Sequence, residues 1–294
     1  MNSFHTPVLL QEVIGFLKVK PGDKYIDATL GGGGHTKRIL EEGGRVLGID
    51  VDSQAIEHVK NQSLDKNLIL VKGNFRDLDK IAHSKNFDKI SGIIFDLGVS
   101  SYQIDSPERG FSFLKDGPLD MRMDKESKLT AEALVNLLEK GELYDLFNKL
   151  GQEHRFRAVS DSIIRARRIK AIRTTQDLAK VVQDAYRIKG DISDFTKNEI
   201  NKRIFQALRI AVNGELENIK EALPKALGLL EKRGRIVVIS FHSLEDGIIK
   251  KTFKDFELNN MGKIITKKPV EVTDAEARAN PRARSAKLRV FEKK

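Results

Sequence analysis

Short apolar runs alternate with amphipathic ones between Lys24 and Asp96, and this alternation limits the fold more than any other feature of the chain. Tyr25–Ala28, Val46–Asp50, Leu68–Val71 and Ile90–Asp96 read as strands that are apolar along their whole length. Between them, Thr36–Glu42 reads as a helix stopped by Gly43-Gly44, and Ser53–Asn61 as a helix that Ser53 can cap. Strands without an exposed polar face, joined through helices, imply a parallel sheet covered on both sides. A short amphipathic helix, Val8–Leu17, precedes the series and ends before Pro21-Gly22. Strand chemistry returns at Arg235–Phe241, after a helix over Glu215–Glu231, and again at Lys287–Phe291.

The stretch between is different. Thr130–Glu139, Gly141–Leu150, Glu153–Ile172 and Thr175–Tyr186 all carry helical periodicity. Four consecutive helices are too many for one crossover of a parallel sheet. The expected organisation is an α/β core over residues 1–106 and 201–294, with an all-helical domain inserted over 107–200. The helix Asn198–Val212 is expected to re-enter the core. A chain of 294 residues, 40% hydrophobic, is long enough for such an arrangement.

The charge balance narrows the partners. Lys and Arg outnumber Asp and Glu by 52 to 42, a formal charge of +10. This suits a polyanionic partner, whose counterions the cations release, and equally suits simple solubility. Cysteine is absent, so disulfides, zinc–thiolate sites and cysteine nucleophiles are excluded, and the sequence singles out no metal ligands while leaving metal assistance open. The first residues lack the regions of a signal peptide, and no apolar run approaches the roughly 18 residues of a membrane span. A soluble, cytoplasmic protein without a membrane partner is expected.

The first strand runs into a glycine cluster, Asp27-Ala28-Thr29-Leu30-Gly31-Gly32-Gly33-Gly34-His35-Thr36. Such a turn lets a ligand approach the backbone, and the helix that follows offers amides to an anion; a plain surface loop is the alternative. Thr36 stands where a dinucleotide-binding fingerprint would place its third glycine, and no Gly-Lys-Ser/Thr completes a phosphate loop. An acid just before the glycines, here Asp27, is more typical of methyltransferases than of dehydrogenases. Asp50 ends the second strand, where a carboxylate can accept the two hydroxyls of a ribose. Phe75 follows the third strand, placed either to pack on an adenine or to join the core. Asp96 ends the fourth. Candidate groups thus recur at successive strand ends.

Several longer motifs carry a resemblance. They are His5-Thr6-Pro7-Val8-Leu9-Leu10, Asp96-Leu97-Gly98-Val99-Ser100-Ser101-Tyr102-Gln103 and Arg109-Gly110-Phe111-Ser112-Phe113. Asp116-Gly117-Pro118-Leu119-Asp120-Met121-Arg122-Met123, Ser240-Phe241-His242-Ser243-Leu244-Glu245-Asp246 and Asn280-Pro281-Arg282-Ala283-Arg284-Ser285 follow in the same order. Together they closely resemble the ribosomal RNA small-subunit methyltransferase H family, also called MraW, over essentially the whole chain. The resemblance implies a Rossmann-like class I methyltransferase sheet with an inserted helical domain. It also implies S-adenosylmethionine-dependent N4-methylation of one cytosine of 16S rRNA, position 1402 in standard rRNA numbering. By motif match, cofactor binding falls on Gly33, Gly34, His35, Asp50, Phe75, Asp96 and Gln103. The first half of the glycine loop, Gly31-Gly32, departs from relatives that carry an aromatic and a polar residue there.

Methylation at cytosine C5 ordinarily uses a cysteine adduct, which this chain cannot form; exocyclic N4 needs none. An enzyme acting there must hold the amine in line with the methyl group and accept its hydrogen bonds. Asp96, Ser100 and Ser101, just beyond the fourth strand, are the candidates, with His242 after a later strand. His242 could equally be structural. The chain reads Asp-Leu-Gly-Val where many amino-methyltransferases carry Asp/Asn/Ser-Pro-Pro-aromatic. Arg109, Phe111, Phe113 and Arg122 could receive a flipped cytosine, or the two phenylalanines could pack the loop onto the core. Arg282 and Arg284, in a tail with seven basic residues and one Glu, could contact phosphates. The expected partner is 16S rRNA, within the small ribosomal subunit, and a homodimer is compatible with the sequence. Two readings stand beside this one: ribose 2′-O-methylation, for which no Lys-Asp-Lys-Glu set is found, and a non-catalytic RNA-binding assembly factor.

Overall fold

The structure, a computed structural model, describes residues 7–62, 65–186 and 194–294. His5 and Thr6 of the first motif lie outside them. The chain forms two compact units: one from the segment up to Ser100 together with Leu216–Lys294, the other from Ser101–Glu215.

The first unit is built on one sheet. Its strands are β1 (Lys24–Asp27), β2 (Arg45–Asp50), β3 (Leu68–Lys72), β4 (Ile90–Asp96), β5 (Leu230–Ser240), β6 (Gly262–Ile264), β7 (Val270–Glu271) and β8 (Lys287–Lys293). The order is β3-β2-β1-β4-β5-β8-β6, with β7 paired to β8. β1 to β5 are parallel and β8 runs antiparallel to β5. Alternate residues of each strand feed opposite cores. Ile26, Leu47, Ile93 and Val238 face one side, where the helices Glu215–Leu229 and Ser243–Leu258 supply Leu223, Ile249 and Phe253. Tyr25, Val46, Ile94 and Val237 face the other, covered by Val13 and Leu17 of the helix Leu10–Leu17 and by Ile39 of Gly34–Glu41. Burying each such side chain is worth about 1.5–3 kcal/mol, which holds the sheet's register.

The second unit is helical. Ala131–Leu137, Lys140–Lys149, Phe156–Ile169, Thr175–Ala185 and Asp194–Asn213 enclose a core of Leu143, Phe147, Val159, Ile163, Leu178, Val182, Ile204 and Leu208. The insert therefore extends beyond the expected 107–200 at both ends. The helix expected to re-enter the core, Asn198–Val212, instead belongs to Asp194–Asn213 and packs within the insert, because its Ile204 and Leu208 face Phe147 and Val182 rather than the sheet. Its last residue ties down the loop before the helices: Asn213 donates to Met121 O (2.9 Å) and accepts from Met123 N (2.8 Å). Among the described residues no helix is long and apolar enough to cross a membrane.

Candidate active site

In the first unit, β1 delivers Asp27 into the glycine turn. Asp27 is buried; one carboxylate oxygen accepts from the Thr36 hydroxyl (2.7 Å) and the other from Thr29 N (3.3 Å). Burial pushes the carboxyl above its ordinary range, against His35 and the Thr36 hydrogen bond, which pull it down. The residue that breaks the dinucleotide fingerprint is thus a partner of the acid before the glycines. Gly33 has φ +75°, and a Cβ there would lie 2.8 Å from Val59; one on Gly34 would lie 2.8 Å from the Pro7 ring. Those two glycines are required by the loop's own packing. Gly31, also left-handed at φ +49°, meets nothing closer than 3.9 Å, so its face is open to a ligand.

β2 ends at Asp50, half-buried beside the same turn. Its carboxylate accepts from Gly31 N and from Asp52 N, both at 2.8 Å. Capping of the following helix falls to Asp52, which accepts from Gln54 N (3.1 Å). Burial raises the Asp50 carboxyl to about 6, despite its two amide bonds. Four lone-pair sites less two amides leaves room for two further donors.

β4 ends at Asp96, whose backbone N donates to the Thr29 hydroxyl (2.6 Å). Asp96 Oδ2 lies 3.8 Å from His35 Nδ1. His35 Nε2 bonds Val8 O at 3.0 Å; a carbonyl only accepts, so that nitrogen carries the proton and the ring is an anchor for the helix start. The Thr29 contribution was missed in the sequence, although its position two residues after Asp27 is the available signal. Phe75 is half-buried after β3, edge-on to Phe95 with centroids 5.7 Å apart, so the core holds one side of its ring.

The remaining candidates have different settings. Ser100 closes the first unit; Ser101 opens the helix Ser101–Asp105, in which Gln103 is buried. His242 caps the helix Ser243–Leu258: its Nδ1 accepts from Glu245 N (3.4 Å), and the Glu245 carboxylate accepts from Phe241 N (2.8 Å). Its Nε2 lies 3.3 Å from Glu245 Oε1. The Nδ1 lone pair is thus oriented toward the start of the helix.

In the second unit the loop candidates serve the loop itself. Arg109 is 1% exposed and donates to Arg122 O and Met123 O, both at 3.0 Å. Its expected part in receiving a flipped cytosine is corrected: the guanidinium is buried and carries two loop carbonyls, so it does not face a base from solvent. Gly110, at φ +72°, abuts Pro118 O, and Gly117 abuts Pro107 O, so the Arg-Gly-Phe and Asp-Gly-Pro turns interlock. Arg122 grips Asp120 through Nε and Nη2 (2.7 and 2.8 Å) and donates to Ser127 O (2.7 Å). Phe111 and Phe113 pack against the helical core, Phe113 edge-on to Phe205 at 5.2 Å. Arg109→Ala is expected to lower unfolding stability by about 2 kcal/mol, because two carbonyls lose their donor. Thermal unfolding without RNA checks this; unchanged stability with weaker RNA binding would restore the surface role. Arg282 and Arg284, in the first unit, are exposed.

Asp27, Asp50 and Asp96 are close enough that Asp96 raises the Asp27 carboxyl and Asp27 that of Asp50. With them stand the open Gly31 and the helix Gly34–Glu41, which no side chain caps. The set offers acceptors for ribose hydroxyls, negative charge for a cationic centre and first-turn amides for a carboxylate, which fits S-adenosylmethionine. A parallel β3-β2-β1-β4-β5 sheet with an antiparallel strand beside β5 and acids at these strand ends is the Rossmann-like fold of the S-adenosylmethionine-dependent methyltransferases. Comparison with known sequences makes this specific. The chain belongs to the MraW methylase family, whose model matches residues 2–294. It is 44% identical to ribosomal RNA small subunit methyltransferase H of Halothermothrix orenii, across 98% of each chain. It is 42% identical to the protein so described from Clostridium botulinum (strain Loch Maree / Type A3), across 100% of each. Among solved structures, an rRNA methylase from Streptococcus thermophilus is similar at 13% identity and a TM-score of 0.45, over 96% of this chain and 94% of that one.

Proposed function

We propose that this protein transfers a methyl group from S-adenosylmethionine to the exocyclic N4 of one cytosine of 16S rRNA in the small ribosomal subunit, the cytosine at position 1402, and does so in the cytoplasm. The observation that carries the reading is the pair of carboxylates Asp50 and Asp96, which end β2 and β4 on either side of β1 and its glycine turn. When bound, S-adenosylmethionine supplies an electrophilic methyl on a sulfonium. The chain's own residues do the rest. Asp50 accepts the ribose hydroxyls at its two remaining lone-pair sites. Phe75 offers the ring side that Phe95 leaves uncovered to the adenine. The first-turn amides at Gly34 and His35 hold the carboxylate; Gln103 is assigned to the cofactor by its place in the family motif alone. Asp96 accepts a hydrogen bond from the cytosine amine as that nitrogen becomes pyramidal, and takes up the proton that the nitrogen releases. Ser100 and Ser101 are positioned in the chain to help hold the base.

The absence of cysteine favours N4 over ring C5. Substrate recognition falls to the helical unit, where Arg155, Arg157, Arg165, Arg168, Lys170 and Arg173 are exposed on and beside the helix Phe156–Ile169. Arg282 and Arg284 add phosphate contacts. The test is to incubate the protein with small ribosomal subunits from a strain lacking it and labelled S-adenosylmethionine, then digest the rRNA for mass spectrometry. N4-methylcytidine at one site is the expected product. A 2′-O-methylated nucleoside would reassign the chemistry, and no methylated product would favour an assembly factor.

A further inference from the structure

The opposite edge of the first unit's sheet carries a basic pocket that the methyl-transfer reading does not use. β4 advances two residues, from Ile90 to Gly92, while β5 advances five, from Leu230 to Arg235. Three extra residues therefore bulge out at the start of β5. Arg233, in this bulge, sits at φ +67°, and Asn260 across the pocket at φ +55°. Asn260 takes that conformation as the residue that closes the helix Ser243–Leu258, with Asn260 N bonded to Glu257 O and Met261 N to Phe256 O. Arg233, in contrast, is held there by the bulge around it. Gly262 is held close as well, since a Cβ there would fall on Glu292 O.

Between these elements is a pocket of about 370 Å³, lined by Lys232, Arg233, Lys263, Lys293 and Lys294 among others. Glu292 is the sole acidic side chain in the lining, and it is already taken up by Arg235 (2.7 Å) and Lys263 (3.0 Å). Lys293 Nζ donates to the carbonyls of Gly228 and Leu230. Among the described residues, Lys232, Arg233 and Lys294 have no acidic partner, and all three are exposed. No aromatic side chain lines the pocket, so it has nothing on which a base could stack. Exposed cations without stacking surfaces suit the phosphodiester backbone, read without regard to sequence.

We infer that this pocket is a second RNA anchor, which binds backbone phosphates of the substrate remote from the nucleotide being methylated. The inference rests on the RNA-substrate reading above. The remoteness follows from the strand: Arg235 to Ser240 alone spans roughly 16 Å of extended chain between the pocket and the sheet's carboxyl edge. The anchor therefore contributes to substrate affinity and leaves the methyl-transfer step untouched.

The test uses the full chain carrying Lys232→Ala, Arg233→Gly and Lys294→Ala, with glycine chosen because it adopts φ +67° without strain. Binding to purified small ribosomal subunits is measured across a salt titration, alongside S-adenosylmethionine affinity and the methylation rate at saturating subunit. The expected result is roughly ten-fold weaker subunit binding and a salt slope reduced by about 2, since each lost phosphate contact removes about 0.7–0.9 from it. Cofactor affinity and the saturated rate stay at wild-type values. Wild-type affinity and slope in the variant would overturn the anchor. So would a loss confined to anionic phosphatidylserine vesicles with subunit binding intact, which would assign the pocket to a membrane surface. Failure of the wild-type protein itself to bind subunits would instead remove the RNA reading, and the anchor with it.

Discussion

Asp50→Ala is expected to weaken S-adenosylmethionine binding about a hundred-fold while the protein remains folded. Two charge-assisted hydrogen bonds to the ribose are lost, each worth about 1.5–3 kcal/mol, and every 1.4 kcal/mol is ten-fold in affinity. The wild-type protein should also show a pH dependence of its own. Burial raises the Asp50 carboxyl to about 6, and hydroxyl donors prefer the ionised form. Affinity should therefore be flat above about pH 7 and fall as pH drops through 6, approaching ten-fold per unit below it. The same shift acts on stability in the other sense. A carboxyl raised from 3.8 to about 6 favours the folded state while it is protonated, and that contribution is lost as pH rises through 6. Calorimetric titration of both proteins between pH 5 and 8 separates the ribose role from simple damage to the turn. A mutant with weakened binding that keeps the wild-type pH profile would mean that Asp50 only holds Gly31 and Asp52, and that another group titrates.

The sheet was legible in the sequence wherever strands are apolar on both faces. β1 to β4 were placed to within a residue or two, because their apolar runs are short, rich in β-branched residues and bounded by turn residues. The start of β5 was not, since Glu231-Lys232-Arg233-Gly234 has a turn's composition and bulges from the strand it belongs to. The helix Asp194–Asn213 shows how far periodicity reaches: an apolar stripe announces that a face is buried and says nothing about which core receives it. Arg109 was misread for a related reason. An arginine in a polar, glycine-rich loop looks like surface, and only the folded loop reveals that two carbonyls converge on it. Asp50 and Asp96 were legible as strand ends, because the apolar runs that mark β2 and β4 stop at them. The roles of Thr29 and Thr36 were not legible, because their part is played entirely through the strand-end acids and their backbone.

Asp96→Asn is expected to lower the single-turnover rate of methyl transfer about a hundred-fold or more, and to change cofactor affinity much less. The amide keeps the shape and one acceptor oxygen, and Thr29 still holds the Asp96 backbone, so the ground state is little disturbed. The lost charge matters when the cytosine nitrogen turns pyramidal and gains positive character. An acceptor of that proton is worth about 10²–10⁴-fold, and an interaction that strengthens only in the transition state appears in the rate rather than in binding. The measurement uses saturating cofactor and saturating small subunits, so that neither the ribose contacts nor the RNA anchor enters it. A wild-type rate with weakened cofactor binding would make Asp96 a cofactor ligand alone. The hydrogen-bond acceptor for the amine would then be sought at Ser100 and Ser101, which follow in the chain. His242 stands last among the alternatives, because its Nδ1 already serves Glu245 N and its Nε2 faces the Glu245 carboxylate. His242→Asn, which preserves a capping oxygen, distinguishes that case: a full rate in this variant restricts the histidine to its helix.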